Sequence, residues 1–445
     1  MIEHAQPIPL KCDVLIIGGG PAGSSTASLL AKQGVDVVLL EKARFPRNQV
    51  GESLIPHFWK FADLTGVSEK IEKQGFVTKA GGITVWDGVI SQISFAQFGY
   101  NRPALHVERD VFDELLLEYA DECGASVFQE VSVKAINFSD EGAPQAFYYD
   151  KRRNSSQSEG KIVCQYVVDA SGHSSLLANQ FRTRQLINSK LKFLSLWGYF
   201  KNSRYIGLDA KSHSAESLPH IKPVTFVTSC GDGWLWHIIL RDKTSVGLII
   251  HTDRTRGMDK RARERFFLET CSNTPYLKEL LEYASYIEDS LQFRPDYSYY
   301  STNPCGENYY CIGDAAAFVD PIFSHGVQSA FYNAAVAAVA IKASLDKKSH
   351  RKRYSQICES RMQQFYGFAR AMALGDFGGD GVKPELVKNL MKGMPLLELE
   401  LMLAASEITN RSGNFREMAK EAGVLEEFAE GSVHKKAKRL DALML

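Results

Sequence analysis

The amino-acid sequence predicts an α/β fold, a Rossmann-like domain with an interleaved antiparallel sheet and a helical C-terminal region. Three observations predict it. A buried-strand pattern runs into a glycine-rich turn at residue 18, alternating apolar and polar residues recur between residues 82 and 250, and helical spacing follows residue 347. With 445 residues, 44% of them hydrophobic, the chain is long enough to bury a large core.

Charge and cysteine usage exclude several classes of protein. The 52 basic and 52 acidic residues balance, so we expect no nucleic-acid partner. No CxxC pair occurs among the eight cysteines, so we expect no metal site, and free thiols in a cytoplasmic protein. No apolar run reaches the length of a membrane span, and the N-terminus lacks a signal-peptide pattern.

The first nucleotide-binding signal lies between residues 12 and 41. Residues 12–17 predict a buried strand, a GGGPAG turn follows, residues 24–33 predict a helix, and residues 35–40 predict a second strand that ends in Glu41. A glycine-rich turn by itself would be weak evidence. Strand, turn, helix, second strand and acid in this order are typical of a dinucleotide-binding unit.

Each residue type in this unit has a physical purpose. Gly18 permits the tight turn, Gly20 lets a phosphate approach the backbone, and Gly23 lets the helix pack on the strand. The helix N-terminus faces the pyrophosphate, and Glu41 can accept a hydrogen bond from a ribose hydroxyl. The candidate nucleotide-binding residues of this unit are Gly18, Gly20, Pro21, Ala22, Gly23, Glu41 and Lys42.

Three later segments favour FAD as the nucleotide. Arg109 opens a predicted helix, a strand pattern over residues 163–170 leads into Asp169-Ala-Ser-Gly172, and Gly313-Asp314 follows another strand pattern. With these segments the chain resembles the FAD enzymes of the para-hydroxybenzoate hydroxylase superfamily. The resemblance implies a GR2-type FAD-binding fold, in which Gly313-Asp314 holds the ribityl chain and Arg109 helps to hold the cofactor. Further cofactor-binding candidates are Val131, Asp169 and Gly172.

The residues alone leave a plainer interpretation open for two of these positions. Arg109 can be the salt-bridge partner of a helix start, and Asp314 can be a simple helix cap.

Two more segments indicate a branch of this superfamily. Gly51-Glu52-Ser53 resembles the GES segment of flavin-dependent halogenases and geranylgeranyl-reductase-like proteins. Residues 320–329, DPIFSHGVQS, resemble the DPxFSxGV segment of phenol and pyrrole halogenases. The amides near Gly326 would meet the flavin edge where negative charge develops on reduction. The resemblance adds Ser53, Pro321, Ser324, Gly326 and Val327 to the predicted cofactor-binding residues.

Three residues are candidate catalytic groups. Lys79 matches the halogenase lysine that faces the substrate and holds hypohalous acid or its chloramine adduct, whereas an isolated lysine is ordinarily solvated. His325 stands where relatives carry a small residue, and it can act as a base or shape the pocket. Glu52 of the GES segment is the third candidate.

One motif departs from the halogenase pattern. Halogenases carry a WxWxIP box, and here Trp234 and Trp236 are present while Ile239 replaces the proline. An alternating β-strand explains the same run without any halogenation. Three alternatives therefore stay open: a LodB-like maturase that oxygenates a tryptophan of a partner protein during cysteine tryptophylquinone formation, a non-catalytic FAD-binding scaffold, and a reductase of isoprenoid double bonds.

We expect an FAD-dependent oxidoreductase that uses reduced flavin and O2 to halogenate or oxygenate an aromatic substrate, a phenol, pyrrole or indole. A separate flavin reductase is a candidate partner. The predicted FAD-binding segments are residues 1–80, 108–185 and 301–345, the substrate-sheet segments are residues 81–107 and 186–300, and the helical region is residues 346–445.

Overall fold

We describe the protein from a computed structural model. It describes residues 6–374, except 140–141, 153–157, 187–192, 232 and 296–297, together with Met391 and Leu399. Residues 375–381, whose glycines predict a break between helices, and most of the predicted helical region 346–445 lie outside the described residues.

Helices and strands are interspersed along the described chain. The helices are α1 (Pro21–Ala31), α2 (Phe58–Thr65), α3 (Ser68–Lys73), α4 (Arg109–Glu122), α5 (Leu176–Gln180), α6 (Lys260–Asn273), α7 (Pro275–Leu280), α8 (Gly326–Asp346) and α9 (Arg351–Leu374). The strands are β1 (Lys11–Ile17), β2 (Val37–Leu40), β3 (Val77–Lys79), β4 (Gly81–Trp86), β5 (Val89–Ser94), β6 (Ala104–His106), β7 (Ser126–Phe128), β8 (Val131–Phe138), β9 (Pro144–Asp150), β10 (Ser158–Asp169), β11 (Arg184–Leu186), β12 (Phe193–Lys201), β13 (Tyr205–Ile206), β14 (Ser212–His213), β15 (Val224–Cys230), β16 (Gly233–Ile239), β17 (Thr244–His251), β18 (Ser285–Tyr286), β19 (Gln292–Arg294), β20 (Tyr299–Ser301), β21 (Tyr309–Cys311) and β22 (Ala317–Phe318).

The first sheet is the predicted Rossmann-like layer. Its order is β7-β2-β1-β10-β9-β8, and β21 pairs with β10. Strands β7, β2, β1, β10 and β21 run parallel. Both faces of β1 are covered, and Val14, Leu15 and Ile16 are fully buried, which explains the continuous apolar run. The carboxyl ends of β1 and β10 therefore meet at one edge, where the glycine-rich turn follows β1.

The second sheet is the predicted interleaved one. Its order is β18-β12-β17-β16-β15-β4-β5, and β19 pairs with β12. Its strands pair antiparallel except β4 and β15, which run parallel. The sequence pattern identifies these segments as strands but not their pairing, because strands from distant parts of the chain show similar patterns.

Two local predictions differ from the structure. Helix α1 begins at Pro21 instead of residue 24, because a proline fits the first helical turn, where its missing N–H is not needed. The run from Phe76 to Trp86, where the sequence predicts one alternating strand with Lys79 at its start, is two strands: β3 pairs with β6, and β4 joins the second sheet. Ala80 separates them, and its N–H donates to the carbonyl of Pro223.

Within the described part of the chain, no helix is long and apolar enough to span a membrane, and no group of three or more His, Cys, Asp or Glu side chains is arranged to hold a metal ion.

Candidate active site

One cavity of about 780 Å³ connects the edge of the first sheet with the second sheet and α9. We call the part near the β1–α1 turn the nucleotide half; it includes Gly18, Gly20, Glu41, Arg109 and Asp314. We call the other part the aromatic half, and it is lined by Val227, Trp234, Trp236, Ile238, Phe365 and Tyr366. The two halves meet at the loop of residues 51–53 and the loop before α8.

The glycines of the β1–α1 turn are required by close backbone contacts. Gly18 has a φ of +103°, and a Cβ there would lie 2.4 Å from the carbonyl oxygen of Ala170. A Cβ on Gly23 would lie 1.9 Å from the carbonyl oxygen of Gly18. Gly20 lies open to the cavity, with the guanidinium of Arg47 at 3.4 Å from where a Cβ would stand. The turn thus brings bare backbone to the cavity wall.

Glu41 is fixed at the end of β2. Its two carboxylate oxygens accept hydrogen bonds from the N–H groups of Gly19 and Ala43, each at 2.7 Å. Each carboxylate oxygen can accept a second hydrogen bond, so a ribose hydroxyl can still bind. The geometry fits the predicted role of Glu41.

Arg109 both forms an ion pair and lines the cavity. Its guanidinium donates to both carboxylate oxygens of Asp113, at 2.8 and 3.0 Å, and to the carbonyl oxygen of Val50 at 2.6 Å. Arg47 approaches the same carboxylate at 3.2 Å. Arg109 therefore holds the loop that precedes Glu52 and at the same time presents positive charge to the nucleotide half.

Asp314 follows β21 in the nucleotide half. Its carboxylate lies 3.3 Å from Nδ1 of His173. Burial by itself would raise the pKa of Asp314, but the hydrogen bond with His173 and the charges of Arg294 and Arg109 lower it overall. Asp314 therefore stays an anion that can accept hydrogen bonds from a polyhydroxyl chain.

Asp169 supports the cavity from behind. Its carboxylate is buried and accepts from the N–H groups of Ser171 at 3.0 Å and Leu177 at 2.7 Å. It fixes the loop that carries Gly172 to the cavity, and burial raises its pKa. Asp169 and Gly23 shape the wall but do not line the cavity.

Glu52 is buried at the junction of the two halves. It is 2% exposed, and its Oε1 accepts a hydrogen bond from the Tyr199 hydroxyl at 2.8 Å. Burial raises the pKa of Glu52, although hydrogen bonds from Ser245 and Tyr199 oppose that shift. This carboxyl group is a stronger base when ionised than an exposed glutamate.

Lys79 lies behind a wall of hydroxyl groups. It is 3% exposed, and its Nζ donates to Ser53 Oγ at 2.6 Å and Thr225 Oγ1 at 3.0 Å. Both hydroxyl residues line the cavity, and so does Ser324, whose hydroxyl donates to Ser53 Oγ at 2.8 Å. Burial lowers the pKa of Lys79 to about 7, so a large share of this amine is neutral near neutral pH.

The loop before α8 brings His325 and Gly326 to the junction. Asp320 caps this loop by accepting from the N–H of Ile322 at 3.0 Å, and Ser324 has a φ of +56°. Burial lowers the pKa of His325 to about 4, so the ring is neutral. Among the described residues, its buried Nδ1 has no hydrogen-bond partner. The first turn of the long helix α8 lines the cavity at the same place with Gly326 and Val327.

The aromatic half is built from β15, β16 and α9. The rings of Trp234 and Trp236 lie with centroids 5.9 Å apart, and Gly247 leaves the space that the Trp236 ring occupies. Phe365 and Tyr366 of α9 face these strands across the cavity. Trp236 donates to Ser245 Oγ at 3.2 Å, whereas the buried Nε1 of Trp234 has no partner within the described chain. This half suits a flat aromatic ring that accepts a hydrogen bond.

The structure brings most predicted site residues into one cavity. The residues that line it are Gly18, Gly20, Pro21, Ala22, Glu41, Lys42, Glu52, Ser53, Arg109, Val131, Gly172, Gly313, Asp314, Pro321, Ser324, His325, Gly326 and Val327. Lys79 reaches the wall through Ser53 and Thr225. Sequence reasoning missed Arg47, His173, Thr225 and Arg294, of which Arg47 and His173 stand beside recognised motifs.

Known proteins match the sequence of this chain over most of its length. The FAD binding domain family matches residues 11–369. A tryptophan 2-halogenase of Chondromyces crocatus is 34% identical over 340 residues, which is 76% of this chain and 62% of that protein. A flavin-dependent halogenase of Armillaria mellea is 33% identical over 357 residues, 76% of this chain and 68% of the relative. The chain thus spans less than two thirds of the first of these relatives.

Solved structures share the fold. The myxobacterial chondrochloren halogenase superposes with a TM-score of 0.71 at 26% identity, over 91% of this chain and 97% of that chain. A flavin-dependent brominase gives a TM-score of 0.71 at 24% identity, over 93% of this chain and 99% of that chain.

Proposed function

We propose that this chain, which belongs to the FAD binding domain family and to the flavin-dependent halogenases within it, halogenates an electron-rich aromatic ring. The observation that carries the proposal is the position of Lys79. Its amine lies behind the hydroxyl groups of Ser53 and Thr225, where the nucleotide half meets the aromatic half.

The residues of the nucleotide half fit FAD. Gly18 and Gly20 offer a cradle that side chains would fill, and Arg47 and Arg109 supply positive charge for the pyrophosphate. Glu41 would hold the ribose and Asp314 the ribityl chain. The unpartnered Nδ1 of His325 is a buried polar atom that a bound flavin can satisfy. When bound and reduced, FAD would supply two electrons that reduce O2 to the peroxide level, and the peroxide-level oxygen would oxidise halide to hypohalous acid.

Lys79 would hold the electrophilic halogen. The ammonium fraction has a third N–H group that can donate to hypohalous acid, and the neutral fraction near pH 7 is nucleophilic enough to form a haloamine. The aromatic half would hold the ring between Trp234 and Phe365, and its apolar walls exclude water that competes for the halogen.

The ring proton that leaves after substitution needs an acceptor. Glu52 and His325 both line the cavity. Burial raises the pKa of Glu52 and lowers that of His325 to about 4, so Glu52 is the stronger base. We assign proton acceptance to Glu52 and a hydrogen bond to the cofactor to His325.

The same proposal includes a partner protein and a cellular compartment. A separate flavin reductase would deliver reduced flavin. All eight cysteines are free thiols, six of them buried, which suits a reducing cytoplasm.

The test supplies the purified chain with FAD, a flavin reductase, NADH, O2 and bromide, together with a panel of phenols, pyrroles and indoles. The expected result is a brominated product, identified by its isotope doublet in mass spectrometry, that disappears without bromide. Products that instead gain oxygen, with or without bromide, would establish a monooxygenase, the reaction type of a maturase. No product from any ring would contradict the proposal.

A further inference from the structure

We propose that His106 and Thr225 are positioning residues that aim the amine of Lys79. The inference rests on the function proposed for Lys79, since it concerns how the chain holds that amine. It follows from a series of hydrogen bonds that connects His106 on β6, Thr225 on β15 and Lys79 on β3. The donor and the acceptor of each of these bonds can be assigned in only one consistent way.

The chain of hydrogen bonds begins at a carbonyl group. Nδ1 of His106 lies 3.0 Å from the carbonyl oxygen of Ile239, and Nε2 lies 2.9 Å from Thr225 Oγ1. A carbonyl oxygen only accepts, so Nδ1 carries the proton, and in a neutral ring Nε2 is then an acceptor. The ring is neutral because burial lowers the pKa of His106 well below its usual value. The Thr225 hydroxyl therefore donates to His106.

This direction fixes what Thr225 offers to Lys79. A hydroxyl has one proton, and Thr225 uses it on His106. Its oxygen is left as an acceptor for Lys79 Nζ at 3.0 Å, while Ser53 Oγ accepts from the same Nζ at 2.6 Å. A neutral amine has two N–H groups and one lone pair. With both N–H groups bonded to hydroxyl oxygens, the lone pair has a defined direction.

Burial in surroundings that hold no charged partner favours the neutral amine within the described residues. Titratable groups that act on His106 are Lys79 and His237, and burial lowers the pKa of His237 to about 4. His237 bonds to Ser203 Oγ at 2.8 Å. Glu52, next in sequence to Ser53, is turned to Tyr199. Within the described residues, no carboxylate lies at ion-pair distance from Lys79, and the Phe95 ring centroid is 5.4 Å from its Nζ.

The matched pair of variants is Thr225→Val and Thr225→Ser. Valine keeps the shape of threonine and removes the acceptor, whereas serine keeps the hydroxyl. The first readout is the protonation state of Lys79. It is measured by NMR of the lysine Cε signal in full-length protein labelled with [6-13C]lysine. The signal of Lys79 is assigned by its loss in Lys79→Met. Loss of an acceptor destabilises the ammonium more than the amine, so we expect Thr225→Val to lower the pKa of Lys79 from about 7 to about 6 and Thr225→Ser to preserve it.

The second readout is halogenated product formed per reduced flavin consumed. We expect a loss of about tenfold in Thr225→Val and in His106→Leu, because a misaimed amine wastes the oxidant. His106→Gln offers an amide oxygen in place of Nε2, so it should stay within about threefold of the unmodified chain. An unchanged Lys79 titration and yield in Thr225→Val would overturn the inference. If the unmodified chain halogenates no substrate, the proposed function is wrong. The effect of Thr225→Val on the pKa of Lys79 still tests whether Thr225 positions the amine.

Discussion

The two halves of the cavity are built in different ways. The nucleotide half is largely backbone, with Gly18, Gly20 and Gly313 lining it and charged groups from neighbouring loops. The aromatic half is made of side chains from β15, β16 and α9, which lie far apart in the sequence. We infer from this difference that cofactor binding depends on the shape of the backbone, whereas substrate choice depends on side chains that can change without loss of that shape.

The largest expected effect tests the backbone shape. Gly23→Ala places a Cβ 1.9 Å from the carbonyl oxygen of Gly18, and neither backbone segment can move freely. We expect a loss of about 3 kcal/mol in the free energy of unfolding, measured by urea denaturation, and a loss of FAD binding. Gly82→Ala is the control, because its Cβ would lie at an ordinary 3.7 Å from the carbonyl oxygen of Thr225 and Gly82 does not line the cavity. Equal stability of the two variants would contradict this account of the turn.

The junction between the halves offers a pH-dependent test. Unfolded Lys79 has a pKa near 10.5 and folded Lys79 a pKa of about 7, so between these values only the unfolded chain takes up the proton. The unmodified chain therefore loses stability as the pH falls through this window, and Lys79→Met does not. The free energy of unfolding of Lys79→Met minus that of the unmodified chain should be about 3 kcal/mol larger near pH 7 than near pH 10.

A difference between the two proteins that does not vary with pH would show that Lys79 is charged in the folded state. Lys60→Met is a matched control, because Lys60 is exposed and its removal should leave the pH dependence unchanged.

The smallest expected effect tests the independence of the halves. Phe365→Leu removes an aromatic wall from the cavity without introducing a polar group. We expect KM for an aromatic substrate to rise about tenfold and the Kd for FAD to stay within about twofold. Steady-state kinetics and a flavin-fluorescence titration measure the two quantities. Parallel losses in both would show that the halves are not separable.

The same contrast explains what the sequence could predict. The Rossmann-like fold was predictable because Gly18, Gly23 and Glu41 lie in one short stretch whose spacing reflects local geometry. FAD is confirmed as the cofactor by the family match. The interleaved sheet was predictable as strands, but the parallel pairing of β4 with β15 was not, since it depends on a contact between distant segments.

The contacts of Lys79 could not be predicted from the sequence either. Lys79 is 26 residues from Ser53 and 146 residues from Thr225 along the chain, and all three meet only in the folded state. His106 gave one weak signal, a polar residue within the apolar run of β6. The roles of Lys79, Glu52 and His325 remain proposals that the cavity supports.

We propose that oxidant made in the nucleotide half reaches the aromatic half through Lys79. The most direct measurement compares brominated product formed with NADH consumed, in the unmodified chain and in Lys79→Met. We expect unchanged NADH consumption and a loss of product of about a hundredfold in the variant. Product formation at the unmodified rate by Lys79→Met would contradict it.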